Sequence, residues 1–450
     1  MKKLLIGFVI LVAFLVGVFC LLKNWKPGHQ QVNQSPAPTH TADEGAVAFE
    51  MKYRGLSGDK DELRYNSYWG YGSRENVTPF IEEVRKKGGE FTTAYNSYFK
   101  GAECSAVEVK DKKAIAFYFD LNADGKVSEN EKILPIENTE SGSTNRTEFV
   151  TPDFTMTTQE GRKIPFRALL QVAFNGDSSR PNCMWSPSCV LEGTSTFNGK
   201  PTKLVLFGNG FTGDFDQFGR CSYSLQDLDE SPGRYISRNT LSSIINYEGQ
   251  FYNLKLSGNY EKDKKIKAEL KEYTGAIGEL ALQLKPDKNL KTKLSYVGIV
   301  GIDDDKVRLR FNVPSEKTKV PVGVYKLCDG LINYGVQQTD EWRLDFNFEQ
   351  QPEFTIEADK ICKLELGDPK LLIRAVEEKK RYERDVKEQT VYTKGTNVYL
   401  TRIVKGKTGE LFGRFSEKQN NSSGYTDIQP ELKILDMEGK QIVAEKIKYG

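Results

Sequence analysis

The sequence predicts a mainly β protein: an N-terminal membrane helix, a β-rich central domain and then immunoglobulin-like β-sandwich modules. Three observations predict this. The first residues form one long apolar run. From residue 46 onward, short aromatic or β-branched runs alternate with Gly, Asn and Asp clusters, the pattern of strands and turns. Only "NVTPFIEEVRKKGGE" reads as a short helix, with Pro79 early and Gly88-Gly89 late.

At the N-terminus, Lys2 and Lys3 precede an apolar or glycine run from residue 4 to residue 22, 19 residues long. At 1.5 Å per residue such a run spans a hydrocarbon core of about 30 Å. It exceeds the apolar region of about 7–15 residues in a cleaved signal peptide, and no A-x-A-like site follows. Residues 1–22 therefore read as an uncleaved anchor. Cys20 reads as a membrane-helix cysteine, since Phe19 is too bulky for the position before an acylated one. Lys2 and Lys3 favour a cytoplasmic N-terminus, although Lys23 and Lys26 on the far side weaken that argument. The expectation is a single-pass protein of the cell membrane with its bulk extracytoplasmic. Residues 23–45 are polar and proline-containing, a flexible tether. Both histidines, His29 and His40, lie in it, where a mobile chain preorganises no site.

Residues 46–295 carry the strand-like runs "AIAFYFD", "RALLQVAFNGD", "KPTKLVLFGNG", "GQFYNLKLSGNY" and "KTKLSYVGIVGIDDD". They read as one β-rich, sandwich or barrel-like domain. Residues 296–385 continue with alternating strands and a Pro-Val-Gly turn, of a length that suits an immunoglobulin-like sandwich. In "FTIEADKICKLELG" apolar residues alternate through Phe354, Ile356 and Ala358. The charged run "AVEEKKRYERDVKEQT" reads as a solvated face. Residues 386–450 form a small β domain that closes with the hairpin signal "LDMEGKQIV".

The chemistry concentrates in "FYFDLNADGKVSENEKILP". Counting from Asp120, side-chain oxygens fall at positions one, three, five, nine and twelve: Asp120, Asn122, Asp124, Ser128 and Glu131. Gly125 at six permits a sharp turn, Lys126 at seven offers its backbone carbonyl, and Val127 at eight is a core residue. A hard cation such as Ca²⁺ needs six to eight oxygens. Over these twelve residues the segment resembles the calcium loop of EF-hand and dockerin-type families. The resemblance implies a structural Ca²⁺ held by Asp120, Asn122, Asp124, Lys126, Ser128 and Glu131. The flanks differ from an EF-hand: "AIAFYF" is strand-like, and only Ser128 to Leu134 can be helical before Pro135. Without two long helices there is no pair to open, so a staple is expected rather than a sensor. A second stretch, "LFGNGFTGDFDQFGR", echoes this loop, but Gly208, Gly210 and Thr212 occupy the ligand positions; a structural turn is expected. With its strand-led loop and sandwich modules, the chain is similar to multidomain bacterial envelope proteins that carry a single calcium loop.

Six cysteines follow the anchor, at 104, 183, 189, 221, 328 and 362. Their even number suits disulfides in an oxidising compartment. "CMWSPSC" reads as a proline-containing turn that would let Cys183 reach Cys189, and a Cys328–Cys362 cross-link would leave Cys104 with Cys221, but six cysteines allow 15 pairings and the spacing selects none of them.

The formal charge is only +2 with 28% charged residues, so no global field recruits nucleic acid. Without a histidine in the folded part, Ser-His-Asp, Cys-His and imidazole-rich zinc sites are excluded. No Walker-type loop occurs. Tyr65, Tyr68, Trp69 and Tyr71 lie close in sequence and read as core or edge packing, with glycan stacking as the functional reading. The sequence thus points to a non-enzymatic, membrane-anchored calcium-binding scaffold for adhesion or ligand binding. Its partners would be the membrane and an envelope protein or glycan. The alternative is a carboxylate-dependent envelope glycan hydrolase, whose two carboxyl groups need not be near in sequence.

Overall fold

The computed structural model describes residues 45–56, 68–70, 82, 90–93, 105–122, 124, 127–136, 146–158, 161–174, 182–208, 210–228, 239–258, 260, 265–284, 291–312, 317–335, 341–346, 351–377, 398–418, 425–428, 431–435, 438 and 440–446. The apolar run, the tether with His29 and His40, and most of the expected helix after Asn76 lie outside these residues. Among the described residues no helix is long and apolar enough to cross a membrane. The protein is mainly β, as its alternating sequence predicts, with helix limited among the described residues to isolated turns such as Glu129–Glu131.

The first architecture is an antiparallel eight-stranded sheet. Its strands run in the order Asn239–Thr240, Ser222–Asp227, Lys200–Phe207, Cys189–Phe197, Val47–Gly55, Lys265–Glu272, Gln250–Ser257 and Ile244–Tyr247. The two edge strands are consecutive in sequence, so the sheet curls until its ends meet at residues 241–243. That link bonds to both sides: Leu241 N–H donates to Cys221 O at 2.8 Å, and Leu254 N–H donates to Ser243 O at 2.8 Å. Curling removes exposed edges, which otherwise invite aggregation. Asn198 and Gly199, with φ of 50° and 78°, make the tight hairpin before Lys200.

Two four-stranded sheets pack on the same core. One orders Tyr68–Gly70, Asn182–Pro187, Ala168–Ala173 and Arg146–Val150; the other orders Glu90–Thr93, Ser105–Lys110, Lys113–Phe119 and Lys132–Ile133. Trp185 anchors the join, its ring centroid 5.4 Å from that of Phe117 and 5.8 Å from that of Phe119. Tyr68 pairs with Trp185 across the backbone. The side chains of Tyr65, Tyr68, Trp69 and Tyr71 lie outside the described residues.

A second core is enclosed by two layers. A nine-stranded sheet contains Arg308–Asn312, Lys291–Gly301, Gly323–Gly335, Glu341–Phe346, Leu411–Lys418, Val398–Lys405 and Lys370–Glu377 in that order, with Glu353–Ile356 and Tyr425–Asp427 paired beside it. Facing it is a three-stranded sheet in which Ile277–Leu284 pairs antiparallel with Thr318–Pro321 and parallel with Ile361–Leu366. Leu280, Val320 and Leu366 from the small sheet pack with Val297, Leu327 and Ile332 from the large one.

The five strand-like runs quoted from residues 46–295 are strands, but three expectations need correction. The boundary at 295/296 falls inside the strand Lys291–Gly301. The boundary at 385/386 separates strands that pair: Lys370–Glu377 with Val398–Lys405, and Glu341–Phe346 with Leu411–Lys418. Residues 296–385 and 386–450 thus share one sheet, and only the terminal hairpin of Glu431–Leu435 and Gln441–Lys446 forms a sheet of its own. Third, "CMWSPSC" is no turn. Asn182–Pro187 is extended, so Cys183 and Pro187 alone stand about 13 Å apart at roughly 3.3 Å per residue, and Cys189 begins the next strand. Cys183, Cys189, Cys221, Cys328 and Cys362 are all thiols; Cys104 lies outside the described residues. Burial pushes the Cys183 and Cys189 thiols up to about 12, which makes them poor nucleophiles. The half-buried pattern expected through Ala358 stops earlier: Phe354 and Ile356 are buried, and the chain turns at Asp359, with φ of 54°.

Candidate metal centre

Phe117 and Phe119 are wholly buried and fix the strand Lys113–Phe119 in the first core. Because this strand pairs with Ser105–Lys110 on one side and Lys132–Ile133 on the other, the loop leaves and re-enters the same sheet. Tyr118 faces Lys132 across the ladder. The twelve-residue segment is therefore a hairpin loop with strands on both flanks. The helical stretch allowed by the sequence from Ser128 to Leu134 shortens to the 3-10 turn Glu129–Glu131.

Asp120 follows directly on the strand and is wholly buried, while Asn122 and Asp124 are exposed. Asp124 N–H donates to Asp120 Oδ1 at 3.1 Å and to Asn122 Oδ1 at 2.8 Å, so the first half of the loop winds around its own oxygens. Val127 is buried, as its position requires. Gly125 and Lys126 lie outside the described residues. Glu131 is 6% exposed and closes the loop from the other end. Its Oε1 accepts the N–H groups of Leu121 at 3.0 Å and Asn122 at 3.4 Å. Its Oε2 accepts the Ser128 N–H at 3.0 Å and the Ser128 hydroxyl at 3.1 Å.

Glu131 thus latches positions two and three to position nine. Ser128, expected as a metal ligand, here donates to Glu131, a role the sequence reading missed. The signal was present: Ser128-x-x-Glu131 is the spacing of a capping box, in which the glutamate reaches back to the N-cap N–H.

The donor set fits a hard cation in kind. Asp120 is a carboxylate removed from water, which needs a compensating charge or hydrogen bonds. Across 120–131 four carboxylates, Asp120, Asp124, Glu129 and Glu131, outnumber the one lysine. Among the described residues, however, no three His, Cys, Asp or Glu side chains converge on one point. Asp120, Asn122 and Asp124 therefore form one half of a candidate site and Glu131 the other, with the backbone N–H groups of the loop holding Glu131. Lys132 sits outside, its Nζ 3.2 Å from Glu129 Oε1 and 3.8 Å from Glu108 Oε2. The hydrogen bond with Tyr118, with that to Glu129 adding, holds its pKa above the ordinary lysine value.

The echo at 208–217 is a structural turn. Asp214 is buried and paired with Arg162 and Gln217. Its N–H donates to Thr212 Oγ1 at 3.3 Å. Gly213 has φ of 71°, and a Cβ there would lie 1.8 Å from Ile164 Cδ1. An arginine takes the place a cation would fill.

No protein-family model and no curated protein matches the chain. Among solved structures, a leucine-rich repeat protein from Bacteroides thetaiotaomicron is similar at 10% sequence identity and a TM-score of 0.14, over 48% of this chain. The chain spans 23% of that protein's length, and a likeness this slight carries no argument about fold or function.

Proposed function

We propose that this chain is a calcium-binding scaffold of the cell envelope, anchored in the membrane through residues 4–22, with its bulk extracytoplasmic and engaged with an envelope protein or glycan. The observation that supports it is the loop from Asp120 to Glu131: oxygen donors in calcium-loop order, one carboxylate wholly buried, and both ends fixed to neighbouring strands of one sheet. Asp120, Asn122 and Asp124 would hold the cation from the strand side, Lys126 through its carbonyl, and Ser128 and Glu131 from the turn side. The bound ion supplies positive charge to the carboxylates and a cross-link across the loop. A loop that returns to its own sheet has no helix pair to move, which favours a staple.

Extracellular modules bind calcium with Kd of about 10⁻⁴–10⁻³ M. Such a site fills outside the cell and stays empty during synthesis, coupling stability to location. In the same reading, the immunoglobulin-like module expected at residues 296–385 belongs to the two-layered region around the second core, where Ile277–Leu284 and Ile361–Leu366 pair in parallel. Calorimetric titration of the full chain in mild detergent with CaCl₂ and MgCl₂ tests the proposal. Saturable calcium binding at one site, with magnesium much weaker, is expected; no calcium heat at millimolar concentration overturns it.

A further inference from the structure

In "KVRLRF" the alternation puts Arg308 and Arg310 on one face of the strand Arg308–Asn312, while Leu309 and Phe311 are buried on the other. This strand is an edge of the nine-stranded sheet, and it lies against the seam where the eight-stranded sheet closes. Arg308 N–H donates to Ser242 Oγ at 2.9 Å, and Ser243 N–H donates to Lys306 O at 2.9 Å. These bonds fix the walls of a cavity of about 200 Å³. Asn239, Thr240 and Asn246 line it from the seam, and Arg308, Arg310 and Asp329 from the second sheet.

The two guanidinium groups are held differently. Arg310 lies 3.9 Å over the Tyr296 ring and 3.8 Å from Asp329 Oδ2, so it is positioned and partly neutralised. Arg308 packs flat on Gly219, where a Cβ would come within 2.5 Å of its Nε and 2.9 Å of its Cζ. That Nε is buried and has no hydrogen-bond partner among the described residues. A buried guanidinium N–H without an acceptor is costly to the fold, and an oxyanion in the cavity would offset that cost. Two guanidinium groups facing one carboxylate leave the cavity with a surplus positive charge.

We propose that this cavity binds the carboxylate or phosphate of a hydroxyl-rich molecule of monosaccharide size. Arg308 and Arg310 would donate to the oxyanion, the arrangement in which arginine is strongest, while the amides of Asn239 and Asn246 and the Thr240 hydroxyl address hydroxyl groups. The size follows from the volume, since pockets for drug-sized ligands span about 300–1,000 Å³. Among the described residues Asp329 is the one carboxylate of the lining, and the two arginines beside it suit the holding of an anion. The inference does not rest on the calcium loop.

Titrating the full chain with glucuronate, glucose 6-phosphate and glucose tests it, beside Arg308→Met and Arg310→Gln. At least one acidic sugar should bind saturably and glucose should not; which acid binds separates a carboxylate from a phosphate ligand. Affinity should fall about tenfold or more in each variant. Without ligand, Arg308→Met should unfold at the same temperature or higher, because a residue kept for binding rather than stability is being removed. If neither acid binds, if glucose binds as well as the acids, or if both variants bind like the parent chain, the proposal fails. Arg310, more exposed, keeps the test open should Arg308→Met not fold.

Discussion

At the scale of single residues, the loop is governed by Glu131. Four donors converge on its carboxylate, so its role in the fold does not depend on a metal. Glu131→Gln would turn an NH₂ group toward N–H donors and leave at least one of them unpaired. Denaturant unfolding without calcium should show a loss of about 1–3 kcal/mol. Glu410 gives a pH prediction. It is wholly buried, with the Gly367 N–H on Oε1 at 2.7 Å and the Thr408 N–H on Oε2 at 2.9 Å. Burial nonetheless raises its pKa above the ordinary 4.5. Above that value the folded chain retains a proton that the unfolded chain releases. The group's contribution is therefore full below pH 4.5 and is lost as pH rises through the folded pKa. Unfolding measured from pH 4.5 upward should show this decline, and Glu410→Gln should flatten it. Residue chemistry was partly legible beforehand. Val127 is buried because position eight must be, but no spacing reveals that the Ser128 hydroxyl turns to Glu131. What Arg308 and Arg310 face depends on a distant seam, which no local pattern reveals.

At the scale of elements, strands such as Lys113–Phe119, Lys200–Phe207 and Gln250–Ser257 were legible because β-branched and aromatic alternation is local. Pairing is not. Ile277–Leu284 runs beside Ile361–Leu366, a neighbour the alternation of neither strand names. The segment "CMWSPSC" misled because proline usually marks a turn; here Pro187 is the last residue of its strand, opposite Ala168, where a missing N–H is tolerated. Packing between elements yields a sharper prediction. Gly330 lies in the long strand Gly323–Gly335, and a Cβ there would meet Phe346 Cδ2 at 1.9 Å. Phe346 in turn stacks on Phe412 with centroids 5.2 Å apart, joining the two parts of the chain once divided at 385. Gly330→Ala should therefore cost about 1–3 kcal/mol by overpacking, measured by denaturant unfolding.

At the scale of the whole molecule, the domain plan read from composition failed where strands cross it. The strand Lys291–Gly301 belongs to the second core, while Ile244 and Phe251 from the first sheet also pack there. Chains ending at residue 295 should accordingly be aggregation-prone and lack a sharp unfolding transition, a result that circular dichroism on heating would show. The loop, by contrast, is local in sequence, and it carries the proposal that calcium couples the stability of this fold to a place outside the cytoplasm. Ligand at 100 times its Kd adds about 2.7 kcal/mol to the stability of a folded chain. The most direct test is thermal unfolding of the full chain in mild detergent, titrated with calcium and separately with magnesium, beside Asp120→Ala. The account predicts a calcium-selective rise in the midpoint that Asp120→Ala abolishes. An unchanged midpoint at millimolar calcium, or an equal rise in the variant, would contradict it and leave the loop a hairpin closed by Glu131 alone.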